Sequence, residues 1–257
     1  MLGLGASLTT GGAVSSLTPT DISGLDLWLK YNTGIAGATN TTAAGNMTNN
    51  EVIHSWADQA GNHNAVQTTD AHRPLWTDAT TDISFDGSND HLDLASNVEI
   101  DAEEDFTIMI RHKFPNFTSA YALIGTAGAE VIKVNSSVNV TLLIQDMETN
   151  ANFEETGGLD LATDVYYIFT AVRSGGEDGY IKMYVHGTGD DANSTHSDKS
   201  WDDAHSYQSN IAFTLANIGA ASDGTKNNLG FMRDVIIWKT ALNASQRADM
   251  YSYINAQ

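Results

Sequence analysis

VYYIFTAVRSGGEDGYIKMYVHGT, residues 165–188, carries the pattern that decides the fold. Two short runs rich in β-branched and aromatic residues, Val165–Arg173 and Tyr180–His186, flank SGGEDG, a cluster of turn-forming residues. HGTGDD supplies the next turn. Strand, turn and strand recur outward in both directions. Phe106–Phe114 (FTIMIRHKF) places Phe106, Ile108 and Ile110 on one face and Thr107, Met109, Arg111 and Lys113 on the other. LDLWLKY sets Leu25, Leu27, Leu29 and Tyr31 against Asp26, Trp28 and Lys30 in the same way. Tyr121–Gly125, Glu130–Val134, Val138–Gln145 and Phe231–Trp238 add further strands, with FDGSND and ASDGTKNN as turns. Helical character is confined to the end, where Asn243 precedes ASQRADMYSYI with Gln246 three residues on, a capping-box start. Met250, Tyr253 and Ile254 are spaced to face a sheet. The pattern predicts an all-β fold, a two-sheet antiparallel sandwich with a short C-terminal helix, formed by residues 21–257.

Composition narrows the function classes. The chain has 257 residues, 12 Lys+Arg against 32 Asp+Glu, and a net charge of -20, with 41% hydrophobic residues and no cysteine. Disulfides, thiolate zinc sites and cysteine nucleophiles are therefore excluded. Such an acidic surface repels nucleic acid and anionic membrane, and no basic run stands out in the sequence. Of the 32 acids, 23 are Asp and 9 Glu, and Asp crowds the turns with Asn, Ser, Thr and Gly. A surface of this charge keeps copies apart and suits saline water, where the repulsion is screened.

Residues 1–20, MLGLGASLTTGGAVSSLTPT, precede the sandwich. No Lys or Arg occurs before Lys30, and Gly3, Gly5, Gly11 and Gly12 interrupt the apolar residues, a pattern unlike an export signal. A glycine-rich segment of this kind either docks on a neighbouring subunit by strand addition, with Leu2, Leu4, Leu8 and Val14 as apolar anchors, or packs on its own domain.

Three stretches resemble the laminin G-like branch of the concanavalin A-like jelly rolls. The first runs from HSWADQAG to ISFDGSNDHLDL and matches the family opening at Trp56, Asp58, Gly61, Ala65, Pro74, Phe85, Gly87, Asp90 and Leu92. The second is the hairpin above, ending in Tyr184-Val185-His186-Gly187. The third is ANIGAASDGTKNNLGFMRDVIIWKTALNASQ. Trp56, Phe85 and Trp238 are expected between the sheets, and Gly87 and Gly187 in tight turns. The fold hosts lectins, glycosidases and virion proteins, so it does not by itself assign an activity. In overall layout, a short glycine-rich start before the jelly roll, the chain resembles laminin G-like proteins of marine tailed bacteriophages. It implies a non-enzymatic structural protein of the virion, a capsid-decorating or appendage component. Such a protein would contact other virion proteins through the arm and act as a homo-oligomer or multi-copy assembly.

Other chemistries stand beside that expectation. A carbohydrate- or receptor-binding module would use loops 36–50 and 187–208, with Trp201 and Tyr207 as aromatic platforms. Glu99-Ile100-Asp101-Ala102-Glu103 resembles the E-x-D-x-E motif of family 16 glucan hydrolases, in which one strand aligns nucleophile, orienting Asp and general acid. Glu104 and Asp105 extend the acid run beyond that motif, and a solvated acidic loop is the competing reading. Oxygen donors for calcium are available at Asp86, Asn89 and Asp90, or at Asp190, Asp191, Asp198, Asp202 and Asp203, though no EF-hand spacing exists. No other cofactor is expected. The eight histidines include no H-E-x-x-H, and His63 and His72 near Asp58 read as loop residues.

Overall fold

The computed structural model describes residues 17–37, 47–77, 80, 82–126, 130–135, 140–143, 152–154, 161–175, 180–187, 195–200, 212–221 and 227–257. In chain order the strands are β1 (Leu25–Leu29), β2 (Ile35–Gly37), β3 (Ile53–Trp56), β4 (Ala65–Val66), β5 (Leu75–Thr77), β6 (Asp82–Asp86), β7 (Leu92–Ile100), β8 (Phe106–Lys113) and β9 (Tyr121–Thr126). They continue with β10 (Glu130–Val134), β11 (Val140–Leu143), β12 (Asn152–Glu154), β13 (Tyr166–Ser174), β14 (Tyr180–Gly187), β15 (Thr195–Ser200), β16 (Phe213–Ile218) and β17 (Leu229–Trp238). Helix α1 (Ala244–Asn255) follows.

Two antiparallel sheets form the sandwich. Sheet A has the order β15-β14-β13-β8-β17-β6-β5, with β1 also pairing to β17, and sheet B runs β12-β11-β10-β9-β16-β7-β4-β3-β2. The alternation read in the sequence drives the layering. Phe106, Ile108 and Ile110 enter the core between the sheets, beside Trp56, Phe85, Leu27 and Leu29. Met109 faces the other way and packs under α1 with Trp28, Ile168 and Ile236. The hairpin β13–β14 forms in register from Tyr167↔Gly187 to Ser174↔Tyr180.

Helix α1 starts as its sequence predicts. The Asn243 side chain accepts from Gln246 N at 3.0 Å, and Asn243 N donates to Gln246 Oε1 at 3.0 Å. Met250 and Ile254 are fully buried against sheet A, while Tyr251 and Tyr253 pack at the margin.

Three placements differ from the sequence expectation. Trp238 lies under α1 rather than between the sheets, with Nε1 donating to Pro19 O at 3.2 Å. A bulge between Met232 and Asp234 adds one residue to β17 and so reverses the facing of everything beyond it. A second bulge, between Leu25 and Leu27, moves Leu25 from the core to the helix side. Gly187 closes β14 opposite Tyr167 instead of making the turn itself, whereas Gly87 does turn, at φ +79. The root of the segment read as an arm also belongs to the domain. Pro19 is buried, Leu17 packs at the α1 cluster, and Asp21 accepts the Thr18 N–H at 2.8 Å. The anchors Leu2, Leu4, Leu8 and Val14 lie outside the described residues.

Candidate functional site

The β6–β7 turn, the β8–β9 link and the residues entering β17 meet around a cleft of about 430 Å3, with Asp86, Thr118, Ser119, Tyr121, Asn227 and Leu229 in its lining. Each wall is held by short polar side chains acting on backbone. Asp86 Oδ1 accepts the N–H groups of Ser88 at 2.7 Å and Asn89 at 3.3 Å, which fixes the turn at Gly87. Asn227 Nδ2 donates to Ser88 O and ties the β17 entry to that turn. Across the cleft, Asn116 Oδ1 accepts from Thr118 N at 3.2 Å, from the Thr118 hydroxyl at 2.8 Å and from the Tyr121 hydroxyl at 2.9 Å. Tyr121 is buried and stacks on Phe114 at 5.8 Å, so the polar rim rests on an aromatic floor.

Two buried titratable groups lie behind the rim. Asp90 Oδ2 accepts Asp86 N at 3.0 Å, yet burial, reinforced by the Asp86 charge, pushes the Asp90 carboxyl up to about 7. Burial holds the His112 imidazole down at about 3, opposed by the Asn228 side chain beside it. These shifts act oppositely on stability. Asp90 keeps its proton in the fold between its unfolded value near 4 and about 7, so stability falls as pH rises through that window. His112 stays neutral in the fold between about 3 and its unfolded value near 6.5, so stability rises there. The variant Asp90→Asn keeps an acceptor for Asp86 N and removes only the first effect. Its melting temperature is expected to match wild type near pH 4 and to exceed it by several degrees at pH 8. A constant difference across that range would mean that Asp90 titrates normally.

The candidates read from the sequence fall in different places. Asp86, Asn89 and Asp90 do come together, as the turn just described. Among the described residues, no group of three or more His, Asp or Glu side chains is placed to hold a metal ion. Glu99, Asp101 and Glu103 do not share a strand face. β7 ends at Ile100, and Asp101–Glu104 is a turn in which Asp101 N donates to Glu104 Oε2 at 3.0 Å and Glu103 adopts φ +64. Buried Arg173 fixes that turn by donating to Glu104 O and Asp101 O, both at 2.6 Å. His63 is a loop residue that donates its N–H to Asp58 Oδ2 at 3.0 Å. Trp201, Tyr207, Asp190, Asp191, Asp202 and Asp203 lie outside the described residues, and Asp198 falls in β15.

Thr118, Tyr121 and Asn227 were not singled out from sequence. Thr118 and Asn227 come from connections that lack periodicity and Tyr121 from the first position of β9, and only the placement of β9 and β17 in separate sheets brings them opposite one another.

A two-sheet jelly roll with a helix on one sheet and a polar cleft between its connecting loops defines the lectin-like class of β-sandwich. The chain belongs to the concanavalin A-like lectin/glucanases superfamily, whose laminin G-like model matches residues 86–246. No curated protein matches it. Among solved structures it is similar to the binding domain of botulinum neurotoxin serotype D, at 16% identity and TM-score 0.57 over 90% of this chain and 52% of that one. A GH54 α-L-arabinofuranosidase is similar at 13% identity and TM-score 0.57 over 80% of this chain and 51% of that one. The botulinum neurotoxin type G receptor binding domain is similar at 14% identity and TM-score 0.51, over 90% and 51%. The chain spans about half the length of each of these three. Likeness at this identity establishes the fold alone.

Proposed function

We propose that this chain is a non-catalytic recognition domain that holds a neutral glycan in the cleft of Asp86, Thr118, Ser119, Tyr121 and Asn227. The observation that carries the reading is the lining itself, in which hydroxyl, amide and carboxylate groups surround a volume of about 430 Å3. Sugar hydroxyls both donate and accept, and this mixture answers both. Glycoside hydrolysis uses two carboxyl groups facing one bond. Here Asp86 reaches the cleft, Asp90 is buried behind it, Glu99 lies in β7, and Asp101 and Glu103 belong to the separate turn after it. Calcium enters the proposal only through the oxygen donors of the Asp86 turn, and chelation tests it.

Titration with an array-selected neutral oligosaccharide is the direct test. Asp86→Asn and Asn227→Ala are each expected to weaken binding about tenfold or more while the melting curve stays close to wild type. Unchanged affinity in both variants would remove the cleft from consideration, and hydrolysis of the bound glycan would remove the non-catalytic reading. Loss of binding in EDTA would add the cation.

A virion role is the finer proposal, favoured by the root of the N-terminal segment. Leu17–Asp21 is fastened to sheet A through Trp238, so the position at which the N-terminal segment joins the sandwich is fixed. Deletion of residues 1–16 is expected to abolish incorporation into particles while the isolated domain still folds. Full incorporation of the truncated chain would end the virion reading.

A further inference from the structure

Helix α1 covers only part of the outer face of sheet A. Beyond its last turn, where Arg111 Nη1 donates to Ile254 O at 2.7 Å, no helix among the described residues covers the face. There Tyr166, Lys113 and Phe231 are direct cross-strand partners on β13, β8 and β17 and form one half-buried row. The Lys113 ammonium lies 4.8 Å from the Tyr166 ring centre and 4.4 Å from that of Phe231. The bulge in β17 supplies a second cation. Its extra residue, Arg233, places its guanidinium 4.0 Å from the Tyr166 ring and 4.8 Å from the Tyr31 ring, paired to buried Asp82.

The charge balance of this patch is opposite to that of the chain. Lys30, Arg111, Lys113 and Arg233 gather around two buried carboxylates, Asp82 and Asp234, in a protein of net charge -20 with only 12 cations. Arg233 already pairs with Asp82, and Tyr31 N donates to Asp234 at 3.0 Å. Lys113 makes no ion pair among the described residues, so its charge is met by two aromatic faces and by no paired carboxylate.

We propose that this patch is a second binding site, for an acidic saccharide, with Phe231 packing on the sugar ring and Lys113 and Arg233 meeting its anionic group. An isolated negative charge on a compact, otherwise neutral ligand fits the surroundings. An extended polyanion would pass from this small positive island onto a strongly negative surface and be repelled. The half-buried phenyl ring beside the ammonium suits a sugar's C–H face carrying a carboxylate or sulfate. This site is separate from the cleft and does not depend on it.

Calorimetric titration of the full chain with an oligosaccharide bearing a single uronate, the same oligosaccharide bearing a single sulfate, their neutral parent, an acidic peptide and a short oligonucleotide tests the assignment. At least one acidic saccharide is expected to bind about tenfold or more tighter than the neutral parent. That affinity should fall about tenfold in Lys113→Met, recover in Lys113→Arg, weaken with added salt and persist in Asp86→Asn. Phe231→Leu is an independent variant and is expected to weaken the same ligand without changing its salt dependence. Preference for the uronate or for the sulfate identifies the anionic group. Equal binding of the neutral parent, preference for the peptide or oligonucleotide, absence of binding, or indifference to both Lys113→Met and Phe231→Leu would each overturn the site.

Discussion

Replacing Asp58 by Ala is expected to destabilise the domain by about 3–5 kcal/mol, among the largest losses open to a single loop residue. Asp58 is 7% exposed, and its carboxylate accepts four backbone N–H groups. Oδ1 receives Trp28 N at 2.7 Å and Ala60 N at 2.9 Å, and Oδ2 receives Asn62 N at 2.8 Å and His63 N at 3.0 Å. Three of these donors shape the loop between β3 and β4 of sheet B, and the fourth belongs to β1 of sheet A. One side chain thus forms the loop and fastens it to the opposite sheet. Alanine leaves all four donors without an acceptor. Water can reach the donors nearer the surface, but the Trp28 N–H sits where solvent is scarce, which is why the expected loss is less than four full penalties. For a chain of this length the melting temperature should drop by roughly 10 °C. Asp58→Asn keeps one acceptor oxygen and should fall between alanine and wild type. Urea unfolding of the three proteins checks the order, and a melting temperature for Asp58→Ala within a degree of wild type would mean that the loop is held by other contacts.

That residue also illustrates what a sequence exposes. Trp56, Asp58 and Gly61 stand at family spacing, and the packing explains it: Trp56 is fully buried with Nε1 donating to Lys30 O at 2.9 Å, while Asp58 caps the loop behind it. Strand alternation was equally readable in β8, where Arg111 and Lys113 face away from Ile108 and Ile110 as their parity demands. Parity fails at a bulge because an inserted residue carries no compositional mark. Trp238 was expected between the sheets from its apolar area, and the bulge before Asp234 turns it to the helix side instead. The acidic motif at Glu99 misled for a different reason. Spacing of two implies one face only while the strand lasts, and this strand ends at Ile100, where Arg173, 72 residues away, claims the carbonyl of Asp101. Both ligand sites were hidden by the same long-range character. The cleft joins loops from both sheets, and the row of Tyr166, Lys113 and Phe231 exists only once three strands have taken their register.

Gly230 sits where these two sites share a strand, and Gly230→Ala should damage both together. Its φ is +124, which side-chain-bearing residues rarely adopt, and a Cβ there would lie 2.2 Å from Lys113 O and 2.9 Å from His112 Cε1. The carbonyl is part of β8 and cannot rotate aside, so β17 must separate from β8 at the point where Phe231 pairs with Lys113. Leu229, one residue earlier, lines the cleft and would move with the strand. Gly61→Ala provides the control, because it shares a positive φ of +99 but has nothing within 4 Å of the added carbon. The control is expected to lose only the conformational term, about 1–2 kcal/mol, whereas Gly230→Ala adds an unrelieved clash and should lose more than about 3 kcal/mol. Denaturant unfolding measures the difference between the variants, which isolates the contact from the backbone preference. Where Gly230→Ala remains folded, neutral and acidic saccharides should both bind more weakly. Equal losses in the two variants would show that β17 yields without cost and that the two sites are not mechanically joined through it.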